Sequence, residues 1–461
     1  MITIPLIEAC IAMGGRSNKP IPSIAYIFDV THNSKEIKEG SLFVALKGNK
    51  ADGHDYIKEA EMRGAMAAVV EYFVEGIRIP QFIVPSTIEA LGDLAKIWRG
   101  RLVIPVIAIT GSVGKTTTKE LIYEVLSSTY ETHKSRKNFN NELGVPIELM
   151  HLHSNHKCSV IEFGMRNVNQ INYLSKITRP NISVITNIGM SHIEKLKTRQ
   201  NIANAKSEIF DGMDLTGISI LNRDDEYFDY LSKSAKGKVI TFGQNAESDV
   251  RIQNITLNSK ANPSFRLNKD LIQMHNAVGK HHAYNAAIAY IIGLEMNVKK
   301  EEAISRIESF KSPERRGVIS FAFNGARILD NSYNAAPDSI KASLDTIAHM
   351  HKMGNRTIVI IGEMLELGSH SIEAHQHIGN VIANIGGIDL LITVGMYSKY
   401  IGETSKVEYR KHFNNTNQVS DFLMDEIKPK DVILLQGSNK ISLDKVVDRL
   451  EKGRISQRYI A

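Results

Sequence analysis

The chain has 461 residues, enough for three domains at the usual rate of about 150 residues each. Its 43% apolar and 23% charged residues are those of a globular protein, and 56 basic against 50 acidic side chains, with no run of five or six like charges, suit an anionic substrate better than nucleic acid or a membrane surface. Cys10 and Cys158 match no metal or redox spacing, the start lacks a signal-peptide pattern, and no apolar stretch approaches the roughly 18 residues of a membrane span, so a cytoplasmic chain without membrane span or nucleic-acid partner is expected.

Residues 1–101 form a first α/β region. SLFVAL (41–46) and AMAAVV (65–70) have strand patterning, the stretch 54–65 between them has helical spacing, and 91–102 reads as a helix. From 102 to 312 the pattern becomes short apolar strand, polar or glycine-containing loop, helix. IPVIAIT (104–110), CSVIEFG (158–164), ISVITNIG (182–189), ISILNRDD (218–225) and KVITFG (238–243) are the strands, and 282–296 and 299–310 are closing helices. Strands that are apolar almost throughout predict a parallel sheet covered by helices on both faces. FKSPERRG marks a boundary near 313. A second open α/β sheet then follows, with strands in 326–332, 356–364, 389–396 and 431–437 and helices in 338–350 and 375–385. In such sheets ligands bind beyond the C-terminal strand ends.

The sharpest signal is TGSVGKTT (110–117), set between a strand and a helix whose Leu121, Ile122, Val125 and Leu126 share one face. Gly111 and Gly114 let backbone N–H groups turn toward phosphate oxygens, and the helix start adds partial positive charge. Lys115 is placed to reach the β- and γ-phosphates, and the Thr116 hydroxyl to meet Mg²⁺. The strict loop pattern wants glycine where Ile109 stands, so this is a shortened variant. Glu162, His192 and Lys206 fall beyond strand ends of the same sheet. Each has an ordinary alternative: a helix-start acid, a capped loop residue, a surface lysine. Together beside a phosphate loop they form a candidate catalytic and divalent-ion constellation.

Five spaced motifs resemble those of the Mur ligases. They are the loop Thr110–Thr116; Asn138, Asn140, Asn141, Gly144 and Pro146; Glu162 with Gly164; Asn187, His192 and Glu194; and Lys206 in AKSEIF. In the first region Gly40, Phe43, Gly48, Asp52, Gly53 and His54 fall at matching places. Ser332, Tyr333, Asn334 and Pro337, then Gly362, Met364, Glu366, Leu367, Gly368 and His375, match the branch that adds D-alanyl-D-alanine to a UDP-linked muramoyl tripeptide. The resemblance implies a substrate-binding domain (1–101), a central ATP-binding domain (102–312) and a Rossmann-like domain (313–461). It implies an ATP-dependent amide ligase of peptidoglycan precursor synthesis that acts as a monomer. ATP phosphates would lie on Gly111, Ser112, Val113, Gly114, Lys115, Thr116 and Thr117, with adenosine near Asn285, Arg316 and Asn331. Two Mg²⁺ would be held by Thr116, Glu162, His192 and a CO₂-derived carbamate on Lys206. The UDP-linked substrate would meet Thr31, Asn33, Ser34, Lys35, Lys47, Gly48, Asp52, His54, Asn140, Asn141 and Asn334.

The chain departs from the family pattern at Asn33 and Lys35 (for D-S-R), His282 (for H-N-x-x-N), Asn331 (for D-D-S-Y), and Gln436 and Asn439 (for K-G-S-R). A paralogue joining a different acid and amine therefore stays open. So do a P-loop kinase or NTPase and a nucleotide-binding regulator.

Overall fold

A computed structural model describes residues 3–48 and 51–453, so the last eight residues of the third predicted region lie outside the described residues. The α/β expectation holds, with three sheets. The first runs Arg16–Ser17, Gln81–Ile83, Ala65–Val70, Ser41–Val44, Asp29–Thr31, parallel except at its Arg16–Ser17 edge. A two-stranded pair, Ile4–Pro5 with Tyr26–Ile27, lies beside it.

The central sheet starts at Thr132–Lys134 and continues through Cys158–Glu162, Val106–Thr110, Ile182–Ile185, Ile218–Asn222, Lys238–Gly243 and Val250–Leu257, all parallel. Its middle strands are buried on both faces because alternate side chains point to opposite sides. Ile107 and Ile109 pack with Leu121, Ile122 and Val125 of the helix Lys115–Ser127. Val106 and Ala108 join the opposite core with Leu149, Leu174 and Ile202. The third sheet runs Val318–Phe321, Arg327–Asn331, Val432–Gln436, Thr357–Gly362, Leu390–Val394, Arg410–Phe413, antiparallel only at its first pair.

Every strand expected from the sequence is present. Reading by apolar runs passed over the antiparallel extension Val250–Leu257, Pro263–Leu267, Asp270–Gln273, where buried and exposed residues alternate along the strands. The edge strands Thr132–Lys134, Val318–Phe321 and Arg410–Phe413 were missed for the same reason: no continuous apolar run marks a half-exposed strand.

The helix expected over 91–102 spans Thr87–Gly100, because the Ser86 hydroxyl accepts the Glu89 N–H and starts it earlier. It is shared between regions. Leu91, Leu94 and Ala95 are buried, while the Trp98 indole N–H donates to the Leu152 carbonyl (2.8 Å) and the Arg99 Nε–H to the Thr178 carbonyl (2.8 Å) of the central region.

At the start of the helix His282–Glu295, the rings of His281 and His282 lie 4.4 Å apart. Neither nitrogen of His282, nor Nδ1 of His281, has a partner among the described residues. Burial lowers the pKa of His281 to about 4 and holds that of His282 well below its usual value, the latter also through His281. Below the unfolded value of 6.5 the unfolded chain then binds protons that the folded chain refuses. Stability is full above pH 6.5 and falls, by about 1.4 kcal/mol per pH unit for His281, toward pH 4, with His282 acting in the same direction. Thermal melting from pH 7.5 to 4.5 is expected to show this acid loss, and the double substitution His281→Asn, His282→Asn to flatten it.

Candidate active site at the phosphate loop

The buried strand Val106–Thr110 ends at Gly111 (φ +151°), and Gly114 (φ +84°) precedes the helix Lys115–Ser127. Both conformations favour glycine, and a Cβ on Gly111 would lie 1.8 Å from Thr186 Oγ1. The end of the neighbouring strand clasps the loop. Ser112 N–H donates to the Asn187 carbonyl (3.0 Å) and Val113 N–H to Asn187 Oδ1 (3.0 Å). The Thr186 hydroxyl donates to the Val113 carbonyl (2.6 Å) and Gly189 N–H to Ser112 Oγ (2.8 Å). The curl is therefore held by protein bonds on its outer side. Asn187, present in the sequence only as a motif position, supplies two of them.

On the other flank, Glu162 ends the strand Cys158–Glu162 at 3% exposure. The Thr116 hydroxyl donates to its Oε2 (2.7 Å) and the Asn140 amide to its Oε1 (2.8 Å). Both carboxylate oxygens are thus fixed by neutral donors, an oxygen-donor set that suits a hard divalent cation. The Lys115 ammonium donates to the Gly111 carbonyl (2.7 Å); burial lowers its pKa, Glu162 opposes that, and Arg316 adds to it. Lys206, on the helix Arg199–Ser207, is 1% exposed, and its amine makes no hydrogen bond among the described residues. Burial, with Lys115 beside it, holds its pKa well below the usual lysine range, so the charged form of the amine is disfavoured there. Lys115, Thr116, Glu162 and Lys206 are brought together as expected, and Asn140, expected on the substrate, braces Glu162.

The remaining expected site residues have the following partners. His192 directs Nδ1 at Glu366 Oε2 (2.6 Å), on a loop of the third region. Asn285 Oδ1 accepts the Thr118 hydroxyl (3.1 Å) at the first turn of the loop helix. The Arg316 guanidinium lies 3.9 Å over the Tyr333 ring, while Arg315 takes the ion pairs with Asp444 and Asp448. Asn331 donates to Ser343 Oγ (2.8 Å), Asn334 Oδ1 accepts the Ala335 N–H, and Asn141 Oδ1 accepts the Gly144 N–H at the start of the helix Gly144–Met150.

That helix packs on the strand Asp29–Thr31, so the turn at 31–35 lies beside the Asn140–Asn141 segment. Within the turn, Asn33 N–H donates to Thr31 Oγ1, Asn33 Oδ1 accepts the Lys35 N–H, and Ser34 donates to Glu59. Asp52 holds His54 Nδ1 (2.6 Å), His54 Nε2 accepts the Glu71 N–H, and Tyr72 stacks on the imidazole at 4.1 Å. Both ring nitrogens of His54 are thereby committed to its own region. Lys35, Lys47 and Gly48 are exposed.

A separate donor group, Glu131, His153 and His156, sits at the opposite end of the strand Thr132–Lys134 from Ser135 and Glu162. There His156 Nδ1 already accepts the His153 N–H (3.2 Å), and the two rings stack at 3.7 Å, so their in-plane lone pairs run side by side instead of converging on one ion.

Asn140→Ala removes one of the two groups that hold Glu162. It is expected to weaken magnesium–nucleotide binding about tenfold, the worth of one charge-assisted hydrogen bond, with little change in melting temperature. Titration with a fluorescent ATP analogue at fixed magnesium measures it.

Comparison with known proteins agrees along most of the chain. Residues 27–99 match the description Mur ligase family, catalytic domain; residues 109–293 match Mur ligase middle domain; and residues 314–439 match Mur ligase, glutamate ligase domain. The UDP-N-acetylmuramoyl-tripeptide–D-alanyl-D-alanine ligase of Synechocystis is 34% identical over 92% of this chain and 92% of its own; that of Escherichia coli is 32% identical over 92% and 93%. Among solved structures, MurF from Acinetobacter baumannii superposes with a TM-score of 0.89 at 28% identity, covering 98% of this chain and 99% of its own. MurF ligase from Thermotoga maritima in complex with ADP superposes at 0.83 and 25% identity, over 92% and 97%. The chain belongs to the Mur ligase family and is an ATP-dependent ligase.

Proposed function

We propose that the chain joins D-alanyl-D-alanine to the terminal carboxylate of UDP-N-acetylmuramoyl tripeptide, converting ATP to ADP and phosphate, in peptidoglycan precursor synthesis. The observation that carries this reading is the Thr116–Glu162–Asn140 chain beside Lys115 and the buried amine of Lys206, at the mouth of the phosphate loop. The relatives that span nearly the whole chain support the choice of acid and amine.

Gly111–Thr117 wrap the phosphates, with the backbone N–H groups of Gly114–Thr117 at the helix start turned to them while those of Ser112 and Val113 stay on Asn187, and Lys115 swings its ammonium from the Gly111 carbonyl to the β- and γ-oxygens. The donor set fits magnesium: Thr116 and Glu162 would hold one ion, and His192 with a carbamylated Lys206 a second. When bound, the ions offset the charge of the phosphates and of the incoming carboxylate. In its unprotonated form, which burial favours, the Lys206 amine attacks CO₂, forms the N–C bond and releases a proton to water, which turns a buried base into an anionic ligand. The tripeptide carboxylate attacks the γ-phosphorus and displaces ADP, giving an acyl phosphate. The dipeptide amine then attacks the acyl carbon and expels phosphate. Lys115 and Arg316 meet the negative charge that builds during transfer. Asn285, Arg316 and Asn331 flank the adenosine, while Thr31, Asn33, Ser34, Lys35, Lys47 and Gly48 face the UDP-linked part. Asp52 and His54 hold that region in shape from behind. We place the reaction in the cytoplasm, with the chain acting as a monomer. No helix among the described residues is long and apolar enough to cross a membrane.

Mass spectrometry of the product formed from UDP-muramoyl tripeptide, D-alanyl-D-alanine and ATP is expected to show the pentapeptide; a product only from acids lacking UDP would replace this reading with the paralogue. Lys115→Ala is expected to lower ADP release at least a hundredfold in a coupled assay. Lys206→Ala is expected to be nearly inactive and partly rescued by small carboxylates such as formate. Full activity without them would exclude the carbamate.

A further inference from the structure

The contact between His192 and Glu366 joins the central and third regions, and the reading above gives it no role. The imidazole Nδ1 and carboxylate Oε2 are 2.6 Å apart, and Nε2 of the same ring has no hydrogen-bond partner among the described residues. Both residues have backbone angles that non-glycine residues rarely adopt, φ +66° at His192 and +63° at Glu366. Two such residues meeting across a boundary indicate a geometry imposed by the surrounding fold.

The fold around Glu366 supplies that constraint. The Glu366 carbonyl accepts the Glu194 N–H (3.2 Å), two residues from His192. Gly368 lies against the Glu194 side chain, where a Cβ would stand 2.8 Å from Glu194 Cγ. Behind the loop, the fully buried His375 accepts the Met364 N–H at Nε2 (3.0 Å) and donates from Nδ1 to the Ser371 carbonyl (2.6 Å), and Leu365 N–H donates to Ser438 Oγ (2.9 Å). The carboxylate is therefore delivered on a loop braced by its own region.

We propose that Glu366 is a positioning residue for the second divalent ion: its carboxylate accepts the hydrogen bond from His192 Nδ1–H and so leaves Nε2 as the ligating nitrogen. A carboxylate on the far nitrogen fixes the tautomer and ring orientation and raises the basicity of the ligating one. Because Glu366 belongs to the third region and His192 to the central one, binding of that ion and docking of the two regions favour each other, and the coupling is reciprocal. This inference rests on the reading of His192 as a ligand.

The test counts bound Mn²⁺ by electron paramagnetic resonance on the full chain with a non-hydrolysable ATP analogue, so it does not depend on turnover. The unmodified chain is expected to bind two ions. His192→Ala is expected to remove the weaker one. Glu366→Ala is expected to weaken the same site about 10- to 100-fold with the tighter site unchanged, and Glu366→Gln, which keeps an acceptor but loses the charge, to fall between. Two ions bound alike by His192→Ala and the unmodified chain, or a single ion in the unmodified chain, would overturn the ligand reading. A weaker second site in His192→Ala but not in the Glu366 variants would overturn only the role of Glu366. If Glu366→Ala melts early, Glu366→Gln decides alone.

Discussion

The site depends on a carboxylate held below the surface by uncharged partners. Burying Glu162 without a neutralising charge would cost several kcal/mol, and its two hydrogen bonds, from Thr116 and Asn140, repay only part of this. Lys115 is the nearest counter-charge, and Glu162 opposes the lowering of its pKa by burial. Lys115 gives its ammonium to the Gly111 carbonyl, and burial with Lys115 nearby disfavours the charged form of Lys206. A buried oxygen-rich pocket beside an amine whose charged form is disfavoured has the electrostatics in which magnesium ions and a carbamate would each lower the energy of the other. The phosphate loop and the acid that faces it are thus parts of one balance of charge.

Sheet order turns this balance into geometry. Val106–Thr110 lies between Cys158–Glu162 and Ile182–Ile185, so three adjacent parallel strands end on one edge. The loop leaves the middle strand, Glu162 closes one neighbour, and Asn187 to His192 leave the other. Asn187 clasps the loop from its side while Glu162 reaches Thr116 from the opposite side. The third region approaches the same edge: the Asp338 carboxylate stands 1.9 Å from where a Cβ on Gly189 would be.

Much of this was legible in residue order. TGSVGKTT between an apolar strand and an amphipathic helix specifies a phosphate loop, because only glycine adopts those backbone angles freely and only a helix start presents so many N–H groups. The apolar strands announced parallel sheets, and Glu162 stood out at a strand end, Thr116 at the close of the loop and Lys206 in a helical stretch of the same region. The half-exposed extension at Val250–Gln273 was not legible, since its apolar residues alternate and no run distinguishes it from loop.

Sequence by itself determined the class of chemistry, through local constraints: glycines at a tight turn, a lysine and a threonine at its end, and polar residues after apolar strands. Only the tertiary structure decided partners. Asn140 could have faced a substrate and instead holds Glu162; His54 could have met a nucleotide and instead spends both nitrogens on Asp52 and Glu71; His192 is met by Glu366, 174 positions along the chain. A hydrogen bond depends on distances of a few tenths of an ångström between residues far apart in the chain, and those distances follow from how sheets and helices pack, which no local pattern of residues encodes.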